Sequence, residues 1–379
     1  MKPLSGIRIA DFTVHNAGPF CTNLLSQLGA EVVKIESAMR PDAFRKPHPV
    51  YGRMGPATFD QVSSTKLSVR VNLKKPEGIA LAKRVVSVSD VAAESFRPGV
   101  IGRLGLGYKA LQAVRSDIIM LSVSSCGQAG PDSHFAGYAP LFGAWGSLSD
   151  LTGYPDGPPV EMRHVMDHTV GMNAAVAVMA ALMQRRTTGK GAHVDVAARE
   201  VASSLAGEAL LLAAAGGTPR RIGNAQEGRS PHNVYPAAGE DRWIAISARN
   251  DAERAALAKV IGGGDLSDEA ISTWTGTREA NAAAAELQSA GIAAHASWTT
   301  PEIAADSHLH ERHAIVSVEE PDGTARAAVG VPMRLSKGPE IGIHRGTPKL
   351  GEHEDYIYGE LLGMDSAARK ALEDAEVIY

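Results

Sequence analysis

The sequence predicts an α/β protein, with a large domain on a doubly wound, mostly parallel sheet and a smaller α/β unit inserted after it. Three observations carry this expectation. Short β-branched runs alternate with helix-like segments from Ile7 to Val123, the signature of successive βα units. A long apolar helix pattern from Val170 to Leu182 leads into another strand pattern at His193 to Ala197. Beyond Gly216 and Gly217 the composition shifts to Arg220, Arg221 and Asn224, and strand patterning restarts at Trp243.

The elements follow in order. Ile7 to Phe12 reads as a strand, Pro19 to Leu28 as a helix stopped by Gly29, and Glu31 to Ile35 as a second strand, together a βαβ unit. Leu67 to Val71, Asp90 to Ala93 and Ile118 to Val123 read as further strands, with a helix from Pro76 to Val86. The segment from Val170 to Leu182 is apolar on nearly every face, as a helix packed on several sides requires, and Arg185, Arg186 and Gly189 end it. One long helix is expected from Glu200 to Ala215. A strand from Trp243 to Ser247 and helices near Ala252 to Val260 and Thr277 to Ser289 form the smaller unit, with the Pro321-Asp322-Gly323 turn near its end. The expected domains are residues 1–218, 219–325 and 326–379, the last too small for a core of its own and docking on an earlier domain.

Composition narrows the function. The 379 residues are 44% hydrophobic, enough for a large core, and 38 Lys and Arg against 42 Asp and Glu leave no basic excess for nucleic acid. Only two cysteines, Cys21 and Cys126, favour a reducing compartment, and the N-terminus runs into a strand without a signal-like apolar stretch, so a cytoplasmic location is expected. The weakly polar stretch from Thr169 to Met183 is shorter than the roughly 18 residues of a membrane span. No membrane partner is expected.

Familiar motifs are missing. Neither a dinucleotide G-x-G-x-x-G nor a P-loop occurs, G-x-S-x-G is absent, and His310-Glu311-Arg312-His313 lacks the spacing that pairs two imidazoles on a helix, so no metal site is expected. The first βα turn, Val14 to Pro19, offers backbone N–H groups at a helix start, a feature that is also structurally routine. Arg40, Arg70, Lys74, Lys75, Arg97 and Arg103 lie at the ends of expected strands, where open α/β sheets bind ligands. Such a cluster suits a polyphosphorylated ligand, although each residue singly is more often surface charge. Asp167, just before the apolar helix, has an ordinary explanation as its N-cap.

Several blocks resemble class III CoA-transferases, the CaiB/BaiF family, in the family's order. They are Pro3 to Thr13 with Ala17-Gly18-Pro19, Leu28 to Glu36, Val71 to Lys74 with Pro76-Glu77-Gly78, Glu94 to Gly99, Leu104 to Tyr108, Thr188 to Gly191 and Leu350 to His353. The resemblance spans nearly the whole chain. It implies an interlocked homodimer, each chain having a large domain built from both termini and a smaller inserted domain. It implies Asp167 as the catalytic carboxylate, with Tyr138 near the thioester where racemase relatives carry a histidine. It places CoA contacts on His15, Asn16 and Ala17, on Val71, Asn72, Leu73 and Lys74, on Ser95, Phe96 and Arg97, and on Arg103. Ser37 replaces a frequently basic position, with Arg40 as a substitute; Ala136 replaces a lysine of formyl-CoA transferase, and the segment from Gly223 to Tyr235 does not match that enzyme's glycine-rich loop. A bulkier acid than oxalate or formate follows.

The expected function is transfer of CoA from an acyl-CoA to a free organic acid, with CoA as substrate and no tightly bound cofactor. Two alternatives stand beside it. One is an acyl-CoA α-proton racemase or isomerase using Asp167 with His164 or His168, and the other is a CoA-binding protein without turnover.

Overall fold

In a computed structural model, which describes residues 1–47, 54–161, 165–320 and 322–379, six strands pair in parallel in the order β3-β2-β1-β4-β5-β6. They are β1 (Arg8–Asp11), β2 (Glu31–Glu36), β3 (Leu67–Arg70), β4 (Val91–Glu94), β5 (Ile119–Ser124) and β6 (His193–Ala197). Ile9 of β1 stands opposite Val32 of β2 and Val91 of β4, so the central strands are buried on both faces. Between and after them come α1 (Ala17–Gln27), α2 (Met54–Ser63), α3 (Pro76–Ser87), α4 (Val100–Arg103), α5 (Tyr108–Val114), α6 (Ala139–Trp145), α7 (Leu148–Leu151), α8 (Val165–Thr188), α9 (Ala198–Leu205) and α10 (Gly207–Ala214).

The helices cover both faces. Alternate residues such as Ile9, Val32, Ile119 and Leu121 meet Leu25 of α1, Val170 and Val178 of α8 and Ala202 of α9. Ala10, Val33, Val69 and Met120 point the other way, onto Leu81, Val85 and Val86 of α3 and Leu111 of α5. Alternation along each strand therefore builds two cores from one sheet. Helix α3 illustrates the local code: Pro76 opens it, Glu77 lies in its first turn and Arg84 in its last, each matched to the helix dipole.

The chain divides into two compact units, one of 1–148, 161–210 and 308–379, the other of 149–160 and 211–307. These divisions fall after Leu210 and Ser307, earlier than the expected 218 and 325. The hairpin of β10 (Ile315–Glu319) and β11 (Ala325–Val329) belongs to the large unit for a chemical reason. Arg326 of that hairpin donates to Ser64 and Thr347, and Glu320 accepts from the Thr347 amide.

The tail completes the large unit. The Asn72 amide donates to the Val377 carbonyl at 2.8 Å and its side chain to the Glu376 carbonyl at 3.0 Å, while Arg70 pairs with Glu354. Tyr358, from a π-helical turn over Asp355–Leu361, is fully buried and donates to the Arg70 carbonyl. The smaller unit pairs β7 (His232–Pro236), β8 (Trp243–Ser247) and β9 (Ala293–Ala296) antiparallel, around α11 (Asp251–Ile261), α12 (Asp268–Thr275) and α13 (Ala280–Ser289).

Three expectations change. The helix expected over Glu200 to Ala215 is two, α9 and α10, because Ala206 leaves the helical region just before Gly207. The helix expected from Thr277 begins at Ala280, where the Glu279 side chain accepts from the Asn281 and Ala282 amides. Helix α8 has 24 residues and is long and apolar enough to cross a bilayer by length and composition. Its Val170, Ala174, Ala175, Val178 and Ala181 nevertheless lie in the core.

Candidate active site

The connections from β1 and β4 leave in opposite directions, and ligand crevices of open parallel sheets form at the carboxyl ends of such strands. The loop after β1 is fixed from below. Buried Asp11 accepts from the Thr13 amide at 3.0 Å, from Thr22 at 2.9 Å and from the Lys66 ammonium at 3.0 Å. Burial alone would push its carboxyl up, but Lys66, Lys34 and Thr13 outweigh that and hold it below the usual carboxylate range. The loop after β4 is tied to it, since the Ser95 hydroxyl accepts from the Val14 amide and donates to the Val14 carbonyl. Beside it, burial pushes Glu94 up to about 7 despite bonds from Ser122 and the Phe96 amide.

These anchors place His15 and Asn16 at the crevice, where Tyr138 joins them. His15 has a left-handed backbone, φ 67°, and its ring meets Tyr138 at 5.7 Å and Phe44 at 5.9 Å edge to face. Tyr138 precedes α6 and is 60% exposed. Asn16 is the N-cap residue of α1, yet its side chain does not cap that helix. It hydrogen-bonds Asp167 instead.

Asp167 reaches Asn16 because α8 comes very close to α1. Gly171, four residues on and so on the same helix face, allows this: a Cβ there would stand 2.7 Å from the Ala17 carbonyl oxygen and 2.9 Å from the Phe20 ring. Asp167 itself is the third residue of α8, so it is not the N-cap that its position before the apolar run implied. Burial raises its carboxyl to about 6, with the nearby Glu161 charge adding to the rise and the Asn16 hydrogen bond opposing it.

Asp167, Tyr138, His15, Asn16, Ala17 and Ser95 line one cavity of about 90 Å³, together with Ser124 and Ser125 after β5. The other residues marked in the sequence lie elsewhere. Val71 is in the core, Leu73 and Phe96 pack against it, and the Asn72 side chain holds the tail. Lys74, Arg97 and Arg103 are exposed, and Arg40 is exposed in a turn with Ser37. His168 packs on the Phe20 ring at 4.3 Å and is not in the cavity wall, whereas His164 lies outside the described residues. Among the described residues no three of His, Cys, Asp and Glu gather to hold a metal. Ser124, Ser125 and Gly171 escaped the sequence reading; the carboxyl end of a buried strand was the available signal for the two serines.

Comparison with known proteins agrees over the full length. The sequence model of CoA-transferase family III matches residues 4–354. The chain is similar to the succinyl-CoA–D-citramalate CoA-transferase of Chloroflexus aurantiacus, 31% identical over 400 residues that cover 100% of this chain and 98% of that one. It is similar to the succinate–glutarate CoA-transferase of Agrobacterium fabrum, 30% identical over 392 residues covering 97% of each. A crystal structure of a CaiB/BaiF family protein from Brucella suis superposes with a TM-score of 0.85 at 27% identity, covering 95% of this chain and 99% of that one.

Proposed function

The chain belongs to CoA-transferase family III and is an enzyme of the class III CoA-transferase type, and from that membership we propose that Asp167 is the nucleophile that carries the transfer. The observation behind this reading is the placement of Asp167, backed by Asn16 and facing Tyr138, in a cavity at the carboxyl ends of β1, β4 and β5. With its carboxyl near 6, Asp167 is ionised about ten to one at pH 7, the form that attacks.

The reaction proceeds by covalent exchange, which divides one hard step into easier ones. The Asp167 carboxylate attacks the donor thioester carbonyl, the C–S bond breaks, and CoA leaves as thiolate, giving an acyl-aspartyl anhydride. The thiolate attacks the aspartyl carbonyl, releasing the donor acid and leaving an aspartyl-CoA thioester. The acceptor carboxylate attacks this thioester and expels the thiolate to form a second anhydride. The thiolate then takes the acceptor acyl group, and the Asp167 carboxylate is restored.

One named relative couples succinyl-CoA with D-citramalate and the other succinate with glutarate, which supports a succinyl donor and a dicarboxylic acid acceptor here. CoA is a substrate, with no resident cofactor, and its thioester end meets His15, Asn16, Ala17 and Ser95. Exposed Arg40, Lys74, Arg97 and Arg103 supply positive charge for its phosphates. The working form is a homodimer, a reading supported by exposed apolar residues on α8 to α10, among them Val176 at 61%, Met183 at 73% and Leu211 at 73%, and the proposed location is the cytoplasm.

The test is to incubate the protein with succinyl-CoA and dicarboxylic acids, trap with hydroxylamine and weigh the Asp167 peptide. A hydroxamate at Asp167 and CoA exchange between acids are expected. Rapid α-deuteration in deuterated water without CoA exchange would falsify the transferase reading in favour of a racemase.

A further inference from the structure

Two buried side-chain atoms in the wall of the Asp167 cavity have no hydrogen-bond partner, Oδ1 of Asn16 and Oγ of Ser124. Asn16 is 5% and Ser124 9% exposed, so bulk water does not serve them. Protein interiors pair nearly all such atoms, so each exception calls for a partner such as an ordered water or a ligand group. Three nearby hydroxyls are already engaged: Ser122 at 3.0 Å from His193 Nε2, Ser95 with Val14, and Thr13 with Asp11. Ser124 ends β5 in the same sheet and stands apart from them in this respect.

The two orphan atoms differ in what they can do. Oδ1 of an amide only accepts a hydrogen bond, whereas a hydroxyl can donate one. Of the two orphan atoms, only the Ser124 hydroxyl can therefore donate to a developing oxyanion.

We propose that Ser124 is a further catalytic residue, its hydroxyl donating to the acyl oxygen that becomes negative when the Asp167 carboxylate adds to the thioester carbonyl. The inference rests on the reading of Asp167 as nucleophile. As the new C–O bond forms, the carbonyl π pair moves onto oxygen and is held there by the Ser124 O–H, which keeps its proton. When that pair returns, the C–S bond breaks and its electrons leave with the CoA thiolate. A donor in place before the reaction needs no reorganisation, and this is where electrostatic catalysis is strongest.

The experiment compares wild type with S124A in single turnovers with succinyl-CoA, following formation of the Asp167 adduct, alongside the affinity for free CoA. The adduct rate in S124A is expected to fall about 10²- to 10³-fold, with CoA affinity and the acid limb of the pH profile unmoved, because Ser124 does not titrate. A shifted acid limb, or a loss matched by lost CoA affinity, identifies a structural role and overturns the inference. S124C, which fills the same space with a weaker donor, serves as the second variant, and a wild-type adduct rate in either folded variant also overturns it. If wild type forms no Asp167 adduct, the transferase mechanism itself fails, an outcome distinct from normal adduct formation in the variants.

Discussion

Gly171 leaves no room for a side chain beside Ala17: a Cβ on the glycine would stand 2.7 Å from the Ala17 carbonyl oxygen. That oxygen belongs to backbone and cannot swing away, so the crossing of α1 and α8 depends on a residue without a side chain. The Asn16–Asp167 hydrogen bond lies one helical turn along the same contact. Elsewhere in a helix, glycine to alanine gains up to about 1 kcal/mol. Here G171A is expected to cost about 1–3 kcal/mol through overpacking and to lower kcat together with stability. Urea unfolding and steady-state rates check both.

Asp167 should display its catalytic use as an acid limb. On the proposed mechanism its ionised form attacks, and burial places its pKa at about 6, so kcat should fall below pH 6 by about tenfold per unit. A general acid would lose activity on the other side, as pH rises through 6. A profile of kcat from pH 4.5 to 8 decides between them.

Stability should move oppositely in D167N. A carboxyl raised from 3.8 to about 6 in the folded state penalises folding when ionised, fully above pH 6 and almost not at all near pH 4. Replacing it with neutral Asn should therefore raise stability by about 1–3 kcal/mol at pH 8 and change it little at pH 4, while abolishing transfer. Equal melting shifts at both pH values would contradict this electrostatic account of the site.

Asn16 opposes the rise at Asp167 by its hydrogen bond. In N16A the acid limb should move to higher pH, and the rate at pH 7 should drop by roughly three- to tenfold. A drop in rate with an unmoved limb would assign Asn16 to substrate contact alone.

Asn72 makes a contrasting case. Its side chain donates to the Glu376 carbonyl and accepts from the Lys74 amide, so N72A should cost about 1–3 kcal/mol by freeing the tail. Hydrogen exchange at Val377 and Ile378 reads this directly.

The sequence stated the scaffold more clearly than the site. Strands β1 to β6 were legible because their apolar runs are short, β-branched and bounded by Gly, Pro or charge, and α8 because its apolar surface runs all round. Strand β7 was hidden in a segment that reads as loop around Pro231, and the break at Ala206 was hidden in a run of good helix formers. Within the site, Asp167 and Tyr138 could be marked through the family resemblance. Ser124 had only its place at the end of a strand to mark it, since a serine's importance depends on whether its neighbours already bond it, and that of Gly171 depends on which backbone crosses it. Both are tertiary facts. The basic residues show the converse limit: strand ends draw attention to Arg97 and Arg103 equally with His15, but only His15 lines the cavity.

The tail bonded to Asn72 also governs how this protein comes into being. The Glu376 carbonyl meets a side chain 304 residues earlier in the chain, and Ile357, Tyr358, Val377 and Ile378 complete the core beside β3. A nascent chain emitted at about 5–20 residues per second thus holds the apolar flank of its first strands open for on the order of 15 to 60 s. Closure waits until residues 357–378 have been made, and during that interval the uncovered flank is a natural client surface for chaperones.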